Sequence, residues 1–173
     1  MTRKLLSAVL ALIVAVSLTF TAQSFAHDGE EHDEDSLPPL ILGVLDFPNS
    51  GAAEAQDAFS RGVMLLHSFE FDDAHSAFLE AQAIDAGFAM AIWGEAMTFN
   101  HPLWAQQDRE EALKALAKLG PRGTLQVSEH EQRYLDAVAT LYGEGSKQER
   151  DIAYMKAMRS LHEDYPDDLE AAA

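Results

Sequence analysis

From Ala53 onward, apolar side chains recur every three or four residues, and this spacing indicates a helical fold. An α-helix has 3.6 residues per turn, so residues spaced in this way share one helical face. The first two apolar series are Ala55, Phe59, Gly62, Val63 and Leu66, and then Ala74, Ala77, Phe78, Ala81 and Ile84. The segment "SFEFDD" interrupts the pattern between them, which predicts two antiparallel helices.

The same reasoning predicts four further helices. A third runs from about Phe88 to Asn100, and a fourth from Asp108 to Leu119 with Asp108 as its N-cap. Two more open with capping boxes, in which a serine precedes a glutamate by three residues: Ser128 with Glu131, and Ser146 with Glu149. No segment has the pattern of a strand, so we predict an all-α protein.

The first helix pair contains a spacing that is typical of one repeat family. Ala74 follows Gly62 by twelve residues, and an aromatic residue, Phe78, follows the alanine by four. On these residues the segment 55–88 resembles a tetratricopeptide repeat, in which a small residue lets the paired helices approach closely. Ala86 stands where the family usually has its closing proline.

Two further periods follow the same pattern less regularly. Residues 89–119 place Ala96 at the small-residue position and Phe99 at the next aromatic one, with "HPLWAQQ" as an insertion of four residues. The pair 128–164 has no glycine at the crossing, but Pro166 restores the closing proline. The phrases "LLHSFEFDDA", "AIWGEAM" and "NHPLW" resemble those of a bacterial exported subgroup of tetratricopeptide proteins. This resemblance implies antiparallel helix pairs stacked as a solenoid of about three repeats.

The first 26 residues have the three parts of a secretory signal peptide. Arg3 and Lys4 precede an apolar run that begins at Leu5, and Ser24-Phe25-Ala26 matches a small-x-small cleavage site. The run is too short to span a bilayer comfortably. We therefore predict cleavage after Ala26, a periplasmic or secreted location and no membrane attachment afterwards. An uncleaved anchor is the alternative.

Residues 27–52 follow as an acidic, histidine-containing arm and an extended lead-in, and 53–173 form the repeat domain. His27 and His32 lie among acidic residues in the arm. Together with the new α-amino group they are weak candidate ligands for a divalent metal. We favour the other interpretation, that the arm is a solvated linker. The chain has no cysteine, so disulfides do not stabilise it.

The charge of the chain favours some partners and disfavours others. It has 29 Asp and Glu residues against 12 Lys and Arg, a formal charge of −17. Such a surface repels phosphate backbones and acidic membranes, so nucleic acid and membrane are not expected as partners. A peptide or protein, with a bias toward basic ones, is the expected partner.

The resemblance also implies where this partner binds, because the first helix of each repeat lines a concave groove. The corresponding positions are Gln56, Phe59, Val63, Leu66 and His67, and then Met90, Trp93, Met97, Asn100 and His101. From these we predict a partner-binding groove formed by Phe59, Val63, His67, Trp93, Met97, Asn100 and His101.

His67 and His101 occupy the same repeat position, and three interpretations of this shared position stay open. Each histidine can close its helix near the negative end of the helix dipole. Both can contact a partner in the groove. With Met97, they can also form a soft metal site, since thioether and imidazole suit Cu(I). A separate expectation concerns Glu95, for which an ion pair with Arg61 is predicted.

No arrangement typical of catalysis is present. The sequence has no Ser-His-Asp set, zinc-protease helix or glycine-rich phosphate loop, so neither an enzyme nor a cofactor is expected. We predict an exported binding module or scaffold that holds a peptide or protein in its groove. The alternative is a periplasmic copper- or zinc-binding protein that uses the arm, or His67, His101 and Met97.

The last residues, "PDDLEAAA", read as the first turn of a seventh helix with Asp168 as its N-cap. Stacked repeats normally end in a helix with a polar outer face. We therefore expect the repeat domain to be incomplete at its carboxyl end. Either the chain is a fragment of a longer protein, or a partner or a second copy of the chain completes the last repeat.

Overall fold

A computed structural model of the chain describes residues 42–172. The predicted signal peptide and the histidines of the arm, His27 and His32, lie outside the described residues. Within 42–172 the chain forms six α-helices and one short hairpin, so the all-α prediction is confirmed. The helices are α1 Gln56–His67, α2 Phe71–Ile84, α3 Ala89–Met97, α4 Arg109–Leu116, α5 Glu129–Leu141 and α6 Lys147–Asp164.

Helices α4, α5 and α6 begin where the sequence predicts, because local capping decides these ends. The Ser128 hydroxyl accepts a hydrogen bond from the Glu131 amide at 3.1 Å, and the Glu131 carboxylate accepts one from the Ser128 amide at 2.8 Å. Ser146 and Glu149 form the same capping box at the start of α6. The carboxylate of Asp108 accepts a hydrogen bond from the Glu111 amide at 3.1 Å and caps α4. Each cap satisfies a backbone donor that the helix itself leaves unpaired.

The central element of the fold is α3. It packs against α1, α2, α4 and α5, and every residue from Ala89 to Ala96 is buried. A helix that is apolar on all sides is stable only when other elements surround it. The remaining neighbours in the chain also pack in pairs, α1 on α2 and α5 on α6.

One phenylalanine determines how closely α1, α2 and α3 approach. The ring of Phe78 lies so near two glycines that a Cβ would come within 2.8 Å of it at Gly62 and 2.2 Å at Gly94. A side chain at either position would force the ring or the backbone to shift, so both positions favour glycine. The sequence pattern identified Gly62 but passed over Gly94.

The segment after α3, which is four residues longer than the repeat spacing requires, forms a hairpin. Its strands are β1 Asn100–His101 and β2 Gln106–Gln107, which pair antiparallel, with Asn100 opposite Gln107. Helix α3 thus ends at Met97 instead of the predicted Asn100. Pro102 explains part of this difference, because the residue before a proline avoids the helical conformation.

The lead-in to α1 belongs to the core. Phe47 is buried, with its ring centroid 5.6 Å from that of Phe59, 5.7 Å from that of Trp93 and 5.0 Å from that of Tyr134. Ser50 donates hydrogen bonds to Glu131 through its amide at 2.7 Å and its hydroxyl at 2.8 Å. The lead-in therefore connects the starts of α1 and α5.

The predicted ion pair between Glu95 and Arg61 is wrong. Glu95 is buried and binds Lys118, whose Nζ lies 2.7 Å and 2.6 Å from its two carboxylate oxygens. Gln82 donates a further hydrogen bond to Glu95 at 2.7 Å. Arg61 pairs with Glu80 instead. Among residues 42–172, no helix is both long and apolar enough to cross a membrane.

Candidate partner-binding cleft

A cleft of about 810 Å³ runs between the carboxyl ends of α1 and α3 and one side of α6. Apolar and aromatic side chains form most of its lining: Leu66, Trp93, Met97, Leu141, Tyr154, Met155 and Met158. Binding clefts commonly have this size and this kind of lining. The segment after α6 closes one end through Glu170, Ala171 and Ala172.

The predicted groove residues fall into three groups: four line the cleft, one lines a neighbouring depression and two are buried in the core. His67, Trp93, Met97 and Asn100 all line the cleft, as does Leu66. His101 lines a neighbouring depression instead.

Phe59 and Val63 were predicted wrongly as groove residues, because both are fully buried. The ring of Phe59 is enclosed by aromatic neighbours, with centroids 4.9 Å from Phe88 and 6.0 Å from Phe78. Met90 is likewise fully buried. Gln56 is turned toward the lead-in, where it donates a hydrogen bond to Asn49 at 2.7 Å. The middle of the α1 face that repeat counting assigned to a partner is thus covered by the protein itself, whereas Leu66 and His67 at its carboxyl end line the cleft.

The missed part of the site is the wall that α6 supplies. Seven of its residues line the cleft, at the spacing of a single helical face: Lys147, Asp151, Tyr154, Met155, Met158, Arg159 and His162. This spacing is readable in the sequence as a stripe. Its direction relative to α3 is not, since that depends on how α6 packs on α5.

Polar groups lie at the edges of the cleft. The Nε2 atom of His67 is 2.6 Å from a carboxylate oxygen of Glu170, and this hydrogen bond raises the pKa of His67 against the opposing effect of burial. Lys147 pairs with Asp151 at 2.7 Å. Arg159 has no ion pair within 42–172. These groups can orient a polar ligand group at the rim.

Two side chains inside the cleft have notable polar atoms. The indole N–H of Trp93 is buried and finds no acceptor within the described part of the chain. The hydroxyl of Tyr154 lies 4.0 Å from the sulfur of Met97, and burial raises the pKa of Tyr154 to about 12. The tyrosine is therefore uncharged at neutral pH and adds a neutral polar group to the apolar lining.

His130 and His162 also contact the segment after α6. The Nε2 atom of His130 lies 2.7 Å from the carboxylate of Asp168, which also accepts a hydrogen bond from the Tyr134 hydroxyl at 2.7 Å. The Nδ1 atom of His162 is 3.2 Å from the carbonyl oxygen of Asp168. Asp168 caps the turn that follows it, accepting from the Glu170 amide at 3.0 Å. These contacts hold the closing segment against α5 and α6.

The neighbouring depression, of about 620 Å³, contains His101 and His75. The ring of His101 stacks on Phe71, with centroids 4.0 Å apart and planes 26° apart, and its Nε2 lies 2.9 Å from the carbonyl oxygen of Thr98. His101 therefore packs against α2 and is not one of the cleft residues.

The proposed metal ligands do not line one site. His67 and Met97 line the cleft, whereas His101 lines the depression beside it. Between residues 42 and 172, no group of three or more His, Asp or Glu side chains is placed to hold a metal ion. The geometry gives no support to the alternative of a metal-binding protein, and His27 and His32 lie outside the described residues.

Comparison with known proteins assigns no family: no family model, no curated protein and no solved structure matches this chain. The tetratricopeptide resemblance therefore stays a prediction.

Proposed function

We propose that this chain is an exported helical binding module that holds a segment of a peptide or protein partner in the cleft between α3 and α6. The observation that carries the proposal is the cleft itself, in which an apolar lining of aromatic and methionine side chains is bordered by polar and charged groups. Interfaces that bind peptides have this composition. Export follows from the predicted signal peptide.

The order of packing supports a tetratricopeptide-like arrangement as part of this proposal. Helix α3 contacts both helices of the pair before it and α5, the first helix of the pair after it. Gly62 stands at the contact of α1 with α2, as the repeat pattern requires. In this proposal α6 differs from a regular repeat helix, because one of its faces forms a wall of the cleft.

The test is a selection of displayed peptides on the purified chain, followed by affinity measurements with one selected peptide. Met155 and Ile152 provide a matched pair, since both lie on α6 with 46% and 43% of their surface exposed. Only Met155 lines the cleft. We expect Met155→Asp to weaken binding about tenfold or more, equivalent to about 1.4 kcal/mol. Ile152→Asp should leave affinity unchanged.

Equal affinity of the Met155→Asp variant and the wild type would overturn the proposal that the cleft is the site. Export has its own test, because amino-terminal sequencing of the secreted product should begin at His27. A product that retains residues 1–26 would contradict it.

A further inference from the structure

We propose that an aromatic group beside the cleft, formed by Phe69, Phe71 and Trp104, binds a cationic side chain of the partner, arginine or lysine. The inference rests on the proposed function, which it deepens by naming the chemistry of the partner. Phe69 and Phe71 line the cleft, so a segment lying in it passes directly beside these rings.

The three rings are arranged as walls that stand at steep angles to one another. The plane of Trp104 makes an angle of 78° with those of Phe69 and Phe71, at centroid distances of 6.3 Å and 6.1 Å. Phe69 and Phe71 make an angle of 61° at 6.3 Å. A cation is attracted to a ring face within about 6 Å of the centroid. At these separations a single cation can lie near more than one ring.

The rings are also accessible. Trp104 is 56% exposed and Phe69 48% exposed. Large aromatic side chains are usually buried more deeply than this. One side of Phe71 is held by the stacked ring of His101 at 4.0 Å. His101 thus holds Phe71 in place beside the other two rings.

Two residues in or next to this aromatic group have a strained backbone conformation. Phe69 and Ala105 are the two residues other than glycine with positive φ, 63° and 52°, between 42 and 172. Phe69 ends α1 in the position that normally holds glycine: its amide bonds to the Leu66 carbonyl, and the Glu70 amide to the Leu65 carbonyl. A left-handed conformation costs such residues about 1–2 kcal/mol. Strain of this kind concentrates at functional sites.

The neighbouring charges favour a cation over a neutral group. Glu70, Asp72 and Asp73 stand at the start of α2, next to Phe71 in the chain; all three are exposed, and none has an ion pair in the described part of the chain. Their field adds to the attraction that ring faces exert on cations. Self-association through this patch is disfavoured, because a second copy would bring the same carboxylates close to these.

The experiment compares two probes of nearly the same shape, N-acetyl-arginine amide and N-acetyl-citrulline amide, of which only the first is charged. Binding is followed by NMR through the indole N–H signals, because exposed Trp104 and buried Trp93 report separately. We expect the arginine probe to shift the Trp104 signal saturably and leave the Trp93 signal in place. The citrulline probe should bind at least about threefold more weakly.

Two variants make the result specific. Phe69→Leu keeps an apolar side chain but removes one ring face, so arginine binding should weaken about three- to tenfold. Leu103→Ala changes a neighbour that is 68% exposed and should have no effect. Equal binding of both probes, or equal loss in both variants, would overturn the inference, as would a Trp104 signal that moves with protein concentration alone.

The outcomes separate this inference from the proposed function. A selected peptide that loses affinity in Met155→Asp but binds equally with its arginines replaced by citrulline would leave the cleft proposal intact and overturn the aromatic site. Arginine-specific shifts of Trp104 without any peptide that depends on Met155 would support the aromatic site and reject the cleft.

Discussion

Phe78 shows how a single side chain controls the spacing of three helices. Its ring occupies the space that a Cβ would need at Gly62 on α1 and at Gly94 on α3. Overpacking of this kind forces neighbouring side chains and backbone to shift, which costs about 1–3 kcal/mol.

We therefore expect Gly94→Ala to lower the free energy of unfolding by about 1–3 kcal/mol, measured by urea denaturation. Gly87→Ala is the control, because its Cβ would meet no atom nearer than 3.4 Å and its φ is not positive. That variant should stay within about 0.5 kcal/mol of the wild type. Similar denaturation midpoints for the two variants would show that α3 can move away from Phe78.

The buried carboxylate of Glu95 depends on its ion pair with Lys118. Lys118→Met removes the cation that lies 2.6 Å from Glu95. The negative charge of Glu95 then has only the hydrogen bond from Gln82 and the more distant His75, whose Nε2 is 3.9 Å away, as neighbours that stabilise it. We expect a loss of about 1–3 kcal/mol in unfolding free energy, toward the low end because Lys118 is half-exposed.

Lys114→Met is the matched control for that change. Lys114 also pairs with glutamates, Glu110 and Glu111, but all three side chains are exposed. Solvent screens such pairs, so thermal denaturation should show a melting temperature close to that of the wild type. If both lysine variants melt at the wild-type temperature, water must reach Glu95.

At the scale of elements, the contact between α1 and the segment after α6 should respond to pH. The hydrogen bond to Glu170 raises the pKa of His67, so the folded state favours the protonated ring. A raised folded-state pKa stabilises the protein fully below the unfolded value of about 6.5. This contribution is lost as the pH rises through the folded-state pKa.

Glu170→Gln should therefore destabilise the protein more at about pH 5.5 than at about pH 8.5, measured as the shift in urea midpoint at each pH. Glu163→Gln removes an exposed carboxylate from α6 that has no ion pair within 42–172, and its effect should not differ between the two conditions. A Glu170→Gln effect that is the same at both pH values would mean that His67 does not titrate against Glu170.

Elements differ in how well local sequence predicts them. The capping boxes of α5 and α6 join residues three apart, so the sequence contains all that they need. The wall of the cleft joins Met97 on α3 to Met155 and Met158 on α6, more than fifty positions along the chain. Repeat counting could not predict it, because it assumes that every helix pair packs in the same way.

At the scale of the whole molecule, the net charge of −17 should control how fast a partner arrives. Attraction between this surface and a basic peptide increases the association rate and is screened by salt. Raising sodium chloride from about 0.05 M to about 0.5 M should slow association about tenfold and change dissociation little, measured by stopped-flow fluorescence. A peptide with its lysines and arginines replaced by glutamine should associate at a rate independent of salt.

Residues close together in the chain were enough to predict six helices, the caps of α4, α5 and α6 and the place of an insertion after α3. They did not predict that α3 ends at Met97 or that the insertion pairs as a hairpin. The sequence also indicated that His67, Trp93, Met97 and Asn100 lie near one another. The sequence did not predict that Phe59 and Val63 belong to the core, that Glu95 binds Lys118 or that α6 forms a wall of the cleft. These outcomes depend on which surfaces meet when distant helices pack, and a side chain's exposure is a property of that packing.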